Sequence, residues 1–248
     1  MYEFITLLIA GLGAGIITGL LSASAVIFAA PIMIVFLGVP PYQAIGIALA
    51  LDVFASTTAT QIYKKNKNTN LKDAKTLLLT AIVFVIIGSF LSVNIPPSSL
   101  GWLLGLGVII SGIAIYARRN NIPRLHNTKP AYEVLAGILI GLIAGVFGGG
   151  GGLTILFALV FLLKYRIHEA IGTSVLIMIF VAFFGAVTHY LYQPFNLAYL
   201  LIASTGGVIG AYYSSIIANH LDEKLLIKIV GSILVLLGII LFTNNILA

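Results

Sequence analysis

Apolar positions along this chain gather into eight long runs divided by short polar turns, at residues 4–37, 42–63, 74–93, 100–117, 132–163, 170–190, 197–218 and 225–242. Runs of this length, with polar residues scattered too thinly to give a solvent face, predict helices that are apolar all round. Six of them suit a bilayer core of about 30 Å, which takes roughly 20 helical residues. The first and fifth do not. At about 1.5 Å per residue, residues 4–37 would make a helix of roughly 51 Å, while two crossings and a turn need roughly 40 residues or more. Each of these runs must be broken. Ser22, Ala23, Ser24 and Ala25 interrupt the first ahead of Pro31, and glycines 148–152 interrupt the fifth, where each glycine costs about 1 kcal/mol in a helix relative to alanine. Both runs are read as helical hairpins that dip into the membrane and return to the side they came from.

The pattern also repeats. At an offset of 126 residues, Gly11, Gly15 and Gly19 are matched by Gly137, Gly141 and Gly145; Ala44, Ile45 and Gly46 by Ala170, Ile171 and Gly172; Asn70 and Leu71 by Asn196 and Leu197. Residues 1–122 and 131–248 are therefore two copies of one unit within a single membrane domain, an arrangement typical of transporters. A signal peptide is a poor account of the first run: its start carries Glu3 and no basic residue, and its copy lies mid-chain.

Composition agrees with the pattern. The chain is 60% hydrophobic and 8% charged, with a mean hydropathy of +1.14, too little polar surface for a soluble globule. Charge decides the topology. With re-entrant hairpins each half crosses three times, so the second half is inverted, and all 13 Lys and Arg fall on or near one face, in the loops around residues 64–75, 118–129, 164–166 and 224–228. By the positive-inside rule that face is cytoplasmic and both termini lie outside, in a multi-pass protein of the cell membrane. The net charge of +6 is thus a topology signal and implies no nucleic-acid partner. The expected fold is all-α: two inverted-topology repeats, each a broken hairpin followed by three transmembrane helices.

No Lys or Arg lies mid-run, so an anion held at the midplane would be bound by hydroxyls, backbone N–H groups and the positive ends of half-helix dipoles. The hairpins supply those ends, with Ser22 and Ser24 at one break and Gly148, Gly149, Gly150 and Gly151 at the other, where backbone amides can approach an oxyanion with no Cβ in the way. Gly11, Gly15 and Gly19 and their copies read instead as close helix packing, either within the monomer or between subunits of a homo-oligomer.

The chain resembles the sulfite exporter TauE/SafE family of membrane transporters over nearly its whole length. The resemblance is carried by Gly141, Gly145 and the run Phe147-Gly148-Gly149-Gly150, by Glu169-Ala170-Ile171-Gly172-Thr173-Ser174, and by the first-half echo of Gly11, Gly15, Gly19, Pro31 and Gln43-Ala44-Ile45-Gly46. It implies secondary-active movement of small sulfur-containing anions such as sulfite, sulfoacetate or related sulfonates. The first half departs from the family pattern, with Ser22, Ala23 and Ser24 in place of glycines, and Phe157 stands opposite Pro31.

Thr173 and Ser174 are expected to begin the helix after the second hairpin, there to bind an oxyanion or cap the helix. On the matching helix Asp52, Ser56 and Thr60 share a face, with Thr57 and Gln61 on its flank. Asp52 is the one carboxylate well inside a run, where a charge costs roughly 2.5–3.5 kcal/mol on insertion scales; beside an anion it would repel unless protonated. Asp52, with Ser56, is therefore a candidate for coupling to protons or sodium, or for a structural hydrogen bond, and its copy is Met178. His189, next to Tyr190 and Tyr192, reads as part of an interfacial aromatic belt.

The remaining histidines, His126, His168 and His220, have no metal-ligand spacing, and the absence of cysteine excludes thiol chemistry. Neither a metal site nor a cofactor is expected. An enzyme is disfavoured too: Ser174 and His189 lie on one helix about 22 Å apart and cannot form a dyad. A passive anion channel, or a cation- or proton-coupled carrier of another small solute using Asp52, remains the alternative to an oxyanion carrier.

Overall fold

The computed structural model describes residues 2–91, 113, 130–148, 151–222, 224–229, 232, 235, 236 and 239. The described elements are all helical: α1 (Tyr2–Leu21), α2 (Val26–Leu37), α3 (Pro41–Lys65), a short 3₁₀ turn (Lys72–Ala74), α4 (Lys75–Leu91), α5 (Pro130–Phe147), α6 (Gly151–Phe157) running on as a π turn (Ala158–Leu162), α7 (Ile167–Tyr192) and α8 (Leu197–His220). Of these, α1, α3, α7 and α8 are long and apolar enough to cross a membrane. Nearly all of the fourth apolar run and half of the eighth lie outside the described residues, as do Gly149, Gly150, Arg118, Arg119, Arg124, His126 and Lys129.

Local chemistry sets the ends of these helices. Pro41 opens α3, where a missing N–H is harmless, and Lys64 and Lys65 sit in its last turn against the negative end of the dipole. The Asn196 side chain caps α8 by accepting from the Ala198 amide at 2.9 Å. Both long runs break where the polar and glycine residues predict. Ser22 (φ 56°) ends α1 and Gly148 (φ 62°) ends α5, each in the left-handed region, and each amide reaches back four residues, to the Thr18 and Ala144 carbonyls. Past the first break the chain folds back, so that Gly13 of α1 faces the Phe28 ring of α2. The hairpins are unequal, since α1 has 20 residues and α2 only 12. Pro31 lies inside α2, and α6 gives way to the π turn just past the equivalent residue, Phe157. Each half-helix is thus irregular at the same place.

The glycines pack helices, as their spacing predicts. A Cβ on Gly11, Gly15 or Gly19 would collide with the carbonyl oxygens of Ala203, Gly207 or Ala211, so α1 and α8 run parallel with backbones nearly touching. The same contact recurs between α5 and α4, where Gly137, Gly141 and Gly145 face the carbonyl oxygens of Leu77, Ala81 and Val85. Every residue in the second set is its counterpart in the first displaced by the repeat offset. A third contact obeys the same rule: Gly46 of α3 faces His189 of α7, and Gly172 of α7 faces Tyr63 of α3. These two helices run antiparallel. The offset of 126 residues that relates the sequence matches thus also relates these pairs of contacts.

Candidate functional site

The two breaks meet tip to tip. Asp52, near the middle of α3, points its carboxylate at the start of α2: Oδ1 accepts from the Ala25 amide at 2.8 Å and Oδ2 from the Ser24 hydroxyl at 2.6 Å. Thr18, one turn before the break, places Oγ1 3.3 Å from Oδ1 and 2.9 Å from the Ala23 carbonyl oxygen. The carboxyl group thus caps the first half-helix, sitting at the positive end of its dipole and taking one of its orphan donors. The next amide, of Val26, reaches Ser24 Oγ at 3.3 Å, which occupies a second donor of the same terminus.

Two hydroxyl links join this tip to the other. Ser24 Oγ lies 3.2 Å from the Gly148 carbonyl oxygen. Ser22 Oγ donates to Ser174 Oγ at 2.7 Å, and Ser174 donates to the Gly152 carbonyl oxygen at 2.8 Å. The backbones approach so closely that a Cβ on Gly152 would overlap the Ser22 carbonyl oxygen, which is why that position is glycine. Ser22, Ser24, Asp52 and Ser174 are all fully or almost fully buried. Each has its polar atoms paired, as buried polar groups require.

The second tip differs in one respect that matters for charge. Met178 occupies the position on α7 that Asp52 holds on α3, and a Cβ on Gly151 would lie 3.7 Å from the Met178 sulfur. The start of α6 therefore faces a thioether where the start of α2 faces a carboxylate. Ser22, Ser24, Gly148, Gly151, Ser174 and Asp52 lie together around the two breaks, while Gly149 and Gly150 lie outside the described residues.

Several expected residues stand elsewhere. Thr173 and Ser174 do not begin α7, which starts at Ile167; neither caps it, because both lie well beyond the first turn. Thr173 faces away from the tips, its hydroxyl oxygen accepting from the Asn70 amide at 2.9 Å. Ser56 and Thr60 continue the buried face below Asp52 and their hydroxyls have no partner among the described residues, whereas Thr57 and Gln61 are exposed. His189 is no belt residue. It is 1% exposed, stacked on Tyr42 at a ring separation of 4.4 Å, with Nδ1 3.0 Å from the Gly185 carbonyl oxygen. The α3–α7 contact draws it inward, because Gly46 leaves room for it. Sequence reasoning missed Thr18 and the contact of Met178 with the second tip. The repeat carried a signal for the last, since Met178 is the copy of Asp52.

Among the described residues no group of three or more His, Cys, Asp or Glu side chains is placed to hold a metal ion. The chain is similar to the probable membrane transporter protein YunE of Bacillus subtilis, at 23% identity over 95% of this chain and 96% of the relative. It is similar as well to the probable membrane transporter protein MJ0441 of Methanocaldococcus jannaschii, at 27% over 90% of each, and to a probable membrane transporter protein of Xylella fastidiosa, at 27% over 91% and 89%. No solved structure matches. Residues 7–241 match the model of the family described as sulfite exporter TauE/SafE, and the chain, a multi-pass membrane protein, belongs to that family.

Proposed function

We propose that this protein is a secondary-active carrier of small sulfur-containing oxyanions, such as sulfite, sulfoacetate or related sulfonates, that holds its substrate between the two hairpin tips. The observation that carries this reading is the meeting of two half-helix N-termini in the centre of the fold with the hydroxyls of Ser22, Ser24 and Ser174, and with no Lys or Arg among them. Helix N-termini and hydroxyls recognise an oxyanion by donating hydrogen bonds. The start of α6 is the more attractive end, because Met178 leaves its dipole unopposed while Asp52 occupies that of α2. Family membership supports the substrate class.

Inverted repeats account for the mechanism. The antiparallel run of α3 and α7, each the copy of the other, supports an inverted topology, in which one set of helices rocks against the other and exposes the tips to each side in turn. The glycine contacts between α1 and α8 and between α4 and α5 make each pair a unit that can rock as a body. The basic loops face the cytoplasm, with the termini outside, in the cell membrane. A panel of sulfite, thiosulfate, sulfonates, sulfate and carboxylates tested for thermal stabilisation in detergent checks the reading. A ligand at about 100 times its Kd adds roughly 2.7 kcal/mol, so sulfur oxyanions should raise the melting temperature. Stabilisation by a cation alone would sink the oxyanion assignment.

A further inference from the structure

The Ser24 hydroxyl is asked to donate twice. Its Oγ lies 2.6 Å from Asp52 Oδ2 and 3.2 Å from the Gly148 carbonyl oxygen, both of which are acceptors when Asp52 is ionised, yet a hydroxyl has one hydrogen and two lone pairs. A proton on Asp52 closes this count at Ser24. Oδ1 already accepts from the Ala25 amide at 2.8 Å, so the proton belongs on Oδ2, which then donates to Ser24 Oγ. Ser24 now accepts from Oδ2 and from the Val26 amide at 3.3 Å, both lone pairs are used, and its own hydrogen is free to turn toward the second tip.

We infer that Ser24 couples a proton to the anion, one for one and in the same direction, by sharing this single hydrogen; the inference rests on the oxyanion reading and adds the coupling ion to it. With Asp52 ionised, the hydrogen is held by Oδ2, the tip presents a carboxylate in place of a donor, and an anion is repelled. With Asp52 protonated, the hydrogen points between the tips, where it bonds the Gly148 carbonyl oxygen or an arriving oxyanion. Proton and anion each raise the other's affinity by the same factor, as linkage requires. A hydronium ion of the solvent gives its proton to Oδ2, one O–H bond breaking as another forms and water leaving, the Ser24 hydroxyl rotates, and nothing is oxidised or reduced.

Among the described residues no other charged side chain contacts this group. On α3, Tyr63 is about three turns on, with its hydroxyl on the Gly19 carbonyl oxygen, and on α8 the side chains of Tyr212 and Tyr213 are exposed. Glu3 lies at the far end of α1, bonded to Tyr199 of α8, and His220 ends α8. On α7, Glu169 is in the first turn and His189 stacks on Tyr42 near the other end. The described part of α2 has no titratable side chain, nor has α6, which packs beside Met178.

The test measures sulfite or sulfonate affinity against pH in detergent, together with proton uptake on binding in weak buffer. Wild type should bind more weakly as pH rises and take up about one proton per anion. Asp52→Asn places an amide N–H where the protonated acid donates, so it should bind at every pH without proton uptake. Ser24→Ala should lose the donor, weakening binding about fivefold and flattening its pH dependence, while Ser24→Thr restores both. Size-exclusion profiles identify folded variants, and Ser24→Thr keeps the test open if Ser24→Ala does not fold. Proton uptake persisting in Asp52→Asn, or an unchanged pH profile in folded Ser24→Ala, overturns the inference while the carrier reading stands. If no oxyanion binds wild type at any pH, the carrier reading falls and takes the inference with it.

Discussion

Gly152→Ala is the smallest change that should force the hairpin tips apart. Its backbone conformation suits alanine, so the whole effect comes from space: the new Cβ would overlap the Ser22 carbonyl oxygen, with the carbonyl carbon at 3.1 Å and the Ser24 amide nitrogen at 3.3 Å. These neighbours are backbone, and no side chain can swing away. Overpacking of this kind costs about 1–3 kcal/mol. Relief by parting the tips sacrifices the Ser22–Ser174–Gly152 relay and the Ser24–Gly148 contact, neutral hydrogen bonds worth about 1 kcal/mol each. Those bonds are lost on parting in either protein, so the joined arrangement loses the clash cost alone, about 1–3 kcal/mol, a shift of roughly 5- to 150-fold in its population. Because the chain has no cysteine, Ala23→Cys supplies a sole thiol at a position that is 0% exposed. Its reaction with a water-soluble maleimide reports separated tips. Labelling should be far faster with Gly152→Ala than without it, and equal labelling with an unchanged melting temperature would refute the close approach.

Three further outcomes follow from the same contacts. Gly15→Ala and Gly141→Ala meet equivalent carbonyl oxygens in the two repeats, of Gly207 and Ala81, so both should lower stability by a similar amount, about 1–3 kcal/mol, in parallel melts; a large loss in one alone would contradict the matched interfaces. Asp52→Ala strands the Ala25 amide and the Ser24 hydroxyl in a buried site and should cost about 2–4 kcal/mol, seen as a lowered melting temperature that Asp52→Asn largely avoids. His189→Phe keeps an aromatic ring against Tyr42 and removes a buried Nε2 that has no partner among the described residues, so melting should hold or rise, because exchanging an unsatisfied polar group for an apolar one removes a desolvation penalty.

The breaks were legible because length is a hard constraint. A run too long for one crossing must bend, and only residues 22–25 and 148–152 offered a place. The packing role of Gly11, Gly15 and Gly19 was legible too, since small residues at a regular spacing have few other uses in an apolar helix. Partners across the structure were not. Nothing local says that Ser22 adopts a left-handed conformation, which is unusual for a side chain with a Cβ; that follows from its repeat partner Gly148 and from the tip geometry. Thr173 and Ser174 give a stronger polar signal for a helix start than Arg166 does, yet α7 starts at Ile167 and the Thr173 hydroxyl serves the loop at Asn70. His189 looked interfacial from its tyrosine neighbours, and only the gap left by Gly46 on another helix explains its burial. The failure of the repeat at Asp52 and Met178 was visible in the sequence, but its meaning depended on seeing which half-helix each one faces.

Counterflow in proteoliposomes tests the central claim most directly. Uptake of labelled sulfite, or of a sulfonate the protein binds, should saturate with concentration and accelerate when the same anion is loaded inside. Ser174→Ala, which breaks the relay between the tips, should raise KM without abolishing exchange. Flux that grows linearly with concentration and ignores internal substrate would mean a pore, and the account of two hairpins closing on a bound anion would be wrong.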